Sequence, residues 1–151
     1  MTPPHEKYLS QPDELPLVDL LRRSSIYLAG VEKELAEEAG LNTTAARALV
    51  LIVEAHKGVE AYSPTALADV LDLTTASMTA VTDKLESAGL VERRPNVADR
   101  RKICLHPTPH GTAEHQRIRD RLAAVVDAAA STLSRADRAG FRKGLLALAA
   151  L

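Results

Sequence analysis

Tryptophan is absent from this chain, phenylalanine occurs once, and aromatic residues make up only 3% of it. Its core must therefore be built from Leu, Val, Ile and Ala, a balance that favours helices through intrinsic propensity, and stacking on a flat ligand has little support. Cysteine is nearly absent too. A single Cys104 excludes an intrachain disulfide and cannot by itself form a cysteine zinc cluster, so no metal or other cofactor is expected. No run approaches the roughly 18 apolar residues that a membrane helix needs. The opening "MTPPHEKYLSQPDELP" lacks the apolar segment of a signal peptide. A cytoplasmic chain with no membrane partner is the expectation. There is no G-x-S-x-G, H-E-x-x-H, P-loop or dinucleotide fingerprint, so an enzyme is not expected and no residue is assigned to catalysis.

What is present fits one compact unit. The 151 residues are 46% hydrophobic and 26% charged, ordinary for a globular domain. The net charge of −1 hides a sorted distribution: residues 1–60 hold six cations against ten acids, residues 61–83 add three acids, and residues 84–102 hold six cations against three acids. Five of those cations (Arg93, Arg94, Arg100, Arg101 and Lys102) surround a Pro-Asn stretch within "GLVERRPNVADRRKICL". Because charges are screened beyond about 8–10 Å, such a segment can attract a polyanion although the whole chain is near neutral.

Apolar periodicity supplies the elements. Leu17, Leu21, Leu28, Val31 and Leu35 lie along one stripe of a first helix, widened by Leu20 and Tyr27, and "AGLNTT" ends it. A second helix from Thr44 carries Ala45, Leu49, Ile52, Val53 and His56 on one face and ends near Gly58. Ser63-Pro64 reads as an N-cap and first residue of a short helix with Leu67, Ala68 and Leu71 inward. Asp72 tolerates the left-handed turn conformation. Thr74 then caps a helix that Gly89 terminates, with Met78, Val81, Leu85 and the following Leu90 facing the core. Two short helices joined by a tight turn are a helix-turn-helix.

The outward residues of that second short helix are expected to be Thr74, Thr75, Ser77, Thr79, Thr82 and Lys84, small hydroxyls and one cation that suit a major groove. "LVERR" and "RKICLH" flank turn chemistry and read as a β-hairpin, with Ile103 and Leu105 inward and Lys102 and Cys104 outward. Arg94, Asn96, Asp99, Arg100, Arg101 and Lys102 would lie on or beside its tip. A solvated charged hairpin is the bland reading, but it abuts the helix-turn-helix in the order that a DNA-reading wing requires. Thr108-Pro109 opens a long helix with Ile118, Leu122, Val125, Ala129 and Leu133 in one stripe, and Ser134 to Asp137 forms a capping box for a last helix carrying Phe141, Leu145 and Leu148. Long apolar terminal helices beside a reading head suggest a two-fold dimer on double-stranded DNA.

From about Leu17 to Leu148 the chain resembles the MarR family of bacterial transcription regulators. Asp83, Leu85, Glu86, Gly89, Leu90 and Val91, taken with Arg94, match that family's "DxLExxGLVxR"; Asp99, Arg100 and Arg101 match its wing "DRR"; and Thr108 and Gly111 match its "LTxxG". The resemblance implies a mainly α fold: a winged helix-turn-helix with a small β-hairpin wing and long N- and C-terminal dimerisation helices. It divides the chain into an N-terminal extension (1–16), a first dimerisation helix and connection (17–43), a DNA-binding domain (44–107) and C-terminal dimerisation helices (108–151). It further implies a homodimeric, ligand-responsive repressor on a palindromic operator. The helix from Thr74 would enter the major groove, Arg100 or Arg101 would reach the minor groove, and Asp99 would orient one of those guanidiniums. Ala80 departs from the pattern where many relatives carry Arg, Asp72 replaces a common Gly, and Pro107 replaces a Leu, which would loosen the second wing strand.

A small-molecule effector would, by the same resemblance, lie between reading head and dimerisation helices, with Arg23, Tyr27, Arg47 and His56 as candidate contacts. Cys104 reads as a plain surface or interface thiol rather than a redox sensor, and His106, His110 and His115 as solvated or capping residues rather than a metal site. The rival functions are a winged-helix protein-interaction module and a non-specific architectural DNA-binding protein.

Overall fold

The computed structural model describes residues 15–57, 61–97 and 99–150. The expected N-terminal extension lies outside them except for Leu15 and Pro16, as does the end of the second helix at Gly58. Six helices and a two-stranded sheet follow in the order α1 (Leu17–Glu38), α2 (Thr43–Lys57), α3 (Pro64–Val70), α4 (Thr75–Ser87), β1 (Val91–Pro95), β2 (Ile103–Pro107), α5 (Pro109–Ala130) and α6 (Arg135–Ala149). This is a mainly helical winged helix-turn-helix with long terminal helices. Among the described residues no helix is long and apolar enough to cross a membrane.

Local chemistry explains most boundaries. Asn42 Oδ1 accepts from the Ala45 N–H at 2.8 Å and caps α2, one residue earlier than the start expected at Thr44. Ser63 accepts from the Ala66 N–H, with Pro64 at the first helical position, where its missing N–H costs nothing. Asp72 takes φ +53°, the left-handed turn between α3 and α4, and Thr74 accepts from the Ser77 N–H to cap α4. Thr108 and Ser134 cap α5 and α6 in the same way.

The core lies under the helix-turn-helix. Leu49, Ile52 and Val53 of α2, Leu67 of α3, Met78, Val81 and Leu85 of α4, and Leu90, Val91 and Leu105 around the hairpin form one buried cluster. At about 1.5–3 kcal/mol for each large apolar side chain removed from water, this cluster dominates the stability of the helix-turn-helix and hairpin. The helices beyond it are not buried. Leu17, Val18 and Leu21 of α1 and Phe141, Leu145, Leu146 and Leu148 of α6 are all exposed, Leu17 at 84%. Within α1 only Leu35 and Ala36, near its C-terminal end, are buried.

The hairpin is antiparallel, with Val91 opposite Pro107, Arg93 opposite Leu105 and Pro95 opposite Ile103. Its base is tied to the core: the Leu105 N–H donates to the Tyr62 carbonyl at 2.8 Å, and the Thr108 N–H donates to that of Leu90 at 3.0 Å. Pro107 stays in register and is buried, contrary to the expected loosening, because it lies at the last pair of the ladder, where the next amide, Thr108, takes over the hydrogen bonding. Inward and outward sides of β2 also differ from expectation. Ile103 is 41% exposed, whereas Cys104 and Leu105 are both buried. Cys104 is buried, and Asn96 Nδ2 donates to its Sγ at 3.2 Å. The thiol is therefore enclosed, not a surface group.

Candidate nucleic-acid interface

Helix α4 presents Thr74, Thr75, Ser77, Thr79 and Lys84 to solvent. Thr74 Oγ1 donates to Ser77 Oγ at 2.9 Å, and Thr79 Oγ1 donates to the Thr75 carbonyl at 2.9 Å. With Ala76 and Ala80 also exposed, the face is short-chained throughout, so the helix axis can approach a surface closely. Thr82 does not belong to it. Its side chain is buried at 0% exposure, and its Oγ1 donates to the Met78 carbonyl at 2.8 Å. Periodicity alone could not separate position 82 from the outward face, because it neighbours Val81 and Leu85 at the edge of the apolar stripe and a hydroxyl can satisfy itself on its own helix.

The five cations of the hairpin separate into two kinds. Arg93 turns back onto α4: its Nη2 donates to Asp83 Oδ1 at 2.7 Å, its Nη1 pairs with Glu86 Oε2, and its backbone N–H donates to Glu86 Oε1 at 3.2 Å. The "DxLExxGLVxR" spacing itself falls on Arg93, and Arg93, not Arg94, makes the contacts to Asp83 and Glu86. Arg94 pairs instead with its strand neighbour Glu92. Arg100 and Lys102 are exposed, and neither forms an ion pair with a described residue.

The tip is held by Asn96 and Asp99. The Asn96 N–H donates to the Lys102 carbonyl at 2.8 Å, the Lys102 N–H donates to the Asp99 carbonyl at 2.9 Å, and Asn96 Oδ1 accepts from the Asp99 N–H at 3.1 Å. Asn96 is thus committed to shaping the turn, not available as a free contact. Asp99 Oδ1 accepts from both the backbone N–H and Nε of Arg101, at 3.1 and 3.2 Å. These hydrogen bonds, the side-chain one foremost, hold the Asp99 carboxyl below its usual range. Arg101 is therefore the guanidinium that Asp99 holds, and its remaining donors face solvent, with the side chain 92% exposed.

A cleft of about 760 Å³ opens between α1, α2, α5 and the turn that joins α3 to α4. Arg47, Glu54, Leu71, Asp72, His115 and Arg119 are among its lining residues. Of the four expected effector contacts only Arg47 is there. Arg23 and Tyr27 sit on the exposed part of α1, and His56 is exposed at the last turn of α2, where its ring meets that of His106 edge-on at 5.7 Å. His56 accordingly leaves the core face assigned to it.

His115, expected to be solvated or capping, is 4% exposed. Burial, reinforced by the charges of Lys57 and Arg119 and opposed by Glu54, lowers its pKa. His106 is likewise lowered, by burial first and then by Arg94 and His56, and its Nδ1 is buried without a hydrogen-bond partner among the described residues. The spacing of His115, three residues before Ile118 and seven before Leu122, puts it in phase with the apolar stripe of α5, a signal that separates it from His110, which lies five residues earlier and is exposed. Among the described residues, no three His, Cys, Asp or Glu side chains are grouped so as to hold a metal ion.

Comparison with known proteins places this geometry. Residues 41–103 match the sequence model of the MarR family. Over 56 residues the chain is 41% identical to a transcriptional regulatory protein described for the hcr operon of Thauera aromatica; the match covers 37% of this chain and about a third, 34%, of that relative. Among solved structures it is similar to MepR, a transcription regulator of the Staphylococcus aureus multidrug efflux pump MepA (TM-score 0.75, 14% identity, 90% of this chain and 98% of the other). It is also similar to YusO of Bacillus subtilis (TM-score 0.69, 20% identity, 88% and 92%). A MepR variant bound to an oligodeoxyribonucleotide shares the fold as well (TM-score 0.67, 17% identity, 91% and 98%). The family match is confined to residues 41–103, the stretch from the start of α2 to the second wing strand, and the likeness to the solved structures extends over the helices on either side as a likeness of fold.

Proposed function

We propose that this protein is a sequence-specific DNA-binding transcriptional regulator that acts as a homodimer on a palindromic operator, as a repressor released by a small molecule. One observation carries the reading: an exposed, short-chained face on α4 stands beside a wing whose Arg100, Arg101 and Lys102 project into solvent. The α4 face suits a major groove, while cations at a hairpin tip suit the flanking phosphates or minor groove. In this reading residues 44–107 form the reading head, and 17–43 with 108–151 form the dimerisation helices. The exposed apolar residues of α1 and α6 support a second copy as their cover, since leaving such side chains in water forgoes their burial energy. The cleft is the proposed effector site, because one of its walls is the Leu71–Asp72 turn that aims α4.

Selection of bound fragments from genomic DNA, followed by affinity measurements at two salt concentrations, tests this function. One enriched near-palindrome, with half-sites about one helical turn apart and a steep salt dependence, is the expected result. Steep salt dependence without sequence preference would indicate an architectural DNA-binding protein. Absence of binding by ligand-free protein would indicate an interaction module.

A further inference from the structure

We propose that Arg93 is a positioning residue that fixes the register between α4 and the wing, so that the two elements read a half-site as one rigid unit. This inference rests on the DNA-reading function proposed above. The hairpin leaves the core quickly: along β1 only Val91 is buried, and from Arg93 outward the strand is exposed. At Arg93 this outward run is still held to the reading helix, through Asp83 and Glu86 on successive turns of α4. Glu86 accepts from both the side chain and the backbone N–H of the same arginine, so the contact fixes strand and side chain together.

Such a partly exposed ion pair contributes little to stability. Its two-carboxylate fork nevertheless restricts orientation, because a planar guanidinium held at two nitrogens cannot swing as an ammonium could. Arg93 makes no contribution to the solvent-facing tip, where Arg100, Arg101 and Lys102 lie. Its role is to decide where those cations arrive relative to the face of α4. A rigid pair of readers accepts one offset between major-groove and minor-groove features, whereas a hinged pair accepts several.

The test uses the full-length chain, the variants Arg93→Gln and Glu86→Gln, and the highest-affinity fragment selected by the wild-type protein. A second version of that fragment carries one extra base pair between the α4 footprint and the flanking wing contact in each half-site. Wild type is expected to lose about tenfold or more in affinity on the insertion, the scale of a misplaced specific contact. Both variants are expected to lose less than about threefold while melting close to wild type. The insertion penalty is a ratio within one protein, so neither the lost charge nor a uniform loss of affinity moves it.

In the absence of DNA, amide exchange in β1 should accelerate in Arg93→Gln while α4 stays protected. Equal insertion penalties in wild type and variants, or unchanged exchange in β1, would overturn the positioning role and leave the DNA-reading function standing. Failure of the wild-type protein to bind any DNA would overturn both.

Discussion

Replacing Gly111 by Ala puts the seating of α5 to a quantitative test. Gly111 is the third residue of α5, and its amide donates to the Thr108 cap at 2.9 Å. A Cβ at this position would lie 2.8 Å from the carbonyl carbon of Leu90 and 3.1 Å from its Cα, closer still to its oxygen. Ordinary van der Waals contact begins near 3.4 Å, and the obstacle is backbone, so no rotamer can relieve it. The start of α5 must retreat, at the expense of the hydrogen bonds from the Thr108 N–H to Leu90 and from Thr108 Oγ1 to the Gly89 carbonyl. Overpacking of this kind costs about 1–3 kcal/mol, and each hydrogen bond given up about 1 kcal/mol. Alanine returns just under 1 kcal/mol of helix propensity. The net loss is about 3 kcal/mol, or a fall of about 6–12 °C in Tm for a chain of this size. Gly140 of α6, where a methyl group would meet nothing within 4 Å, is the control: Gly140→Ala should gain about 0.5–1 kcal/mol. Thermal and urea unfolding followed by circular dichroism measure both. A Gly111→Ala protein melting within about 2 °C of wild type, a margin well below the roughly 6 °C lower bound, would refute the close approach.

At the wing, replacing Arg100 and Arg101 by Ala should weaken binding to the selected DNA fragment and reduce the salt slope by about one for each phosphate no longer neutralised, leaving helicity and oligomeric state unchanged; unchanged affinity would remove the wing from the proposed interface. Thr82→Val should leave sequence preference untouched because the hydroxyl is buried on its own helix, whereas Ser77→Ala should change it, and the reverse pattern in a binding selection would contradict the assignment of the α4 face. Burial lowers the pKa of His115 in the folded chain, so below the ordinary value of about 6.5 the unfolded chain takes the proton more readily and stability falls as pH drops, while above it the group adds nothing. His115→Gln should therefore flatten the decline of the urea midpoint between about pH 7 and pH 5 relative to wild type, with His106 retaining part of it; parallel slopes would exclude His115 as a source. If α6 lies in the proposed dimer interface, Leu145→Asp on its exposed face should shift the protein to monomer in sedimentation equilibrium without loss of helicity, and an unaltered mass distribution would remove that face from the proposed interface.

The elements of the winged helix-turn-helix were legible because their determinants are local. Ser63, Thr74, Thr108 and Ser134 cap helices through the N–H three residues ahead, and Asp72 adopts the left-handed turn that its short polar side chain tolerates. Met78, Val81 and Leu85 define the buried stripe by spacing alone. What depended on three-dimensional neighbours was not legible. Thr82 and Ser77 are both small hydroxyl residues on one helix, yet only the packing of α4 on the core buries the first and leaves the second exposed. Alternation along β2 predicted Cys104 outward, but the base of the hairpin is covered on both sides and the rule of alternating faces fails there.

The sequence by itself therefore determined the order of helices, the hairpin and the concentration of cations on it, since capping, periodicity and composition act within a few residues. Tertiary structure alone decided which of those cations face outward. Arg93 and Arg94 are adjacent and chemically identical, but the turn at Gly89 brings α4 alongside β1 so that Asp83 and Glu86 meet only the first. It also decided why position 111 is glycine and how deeply His115 is buried, because both depend on how closely α5 approaches the winged helix-turn-helix, a distance set by packing between segments far apart in the chain.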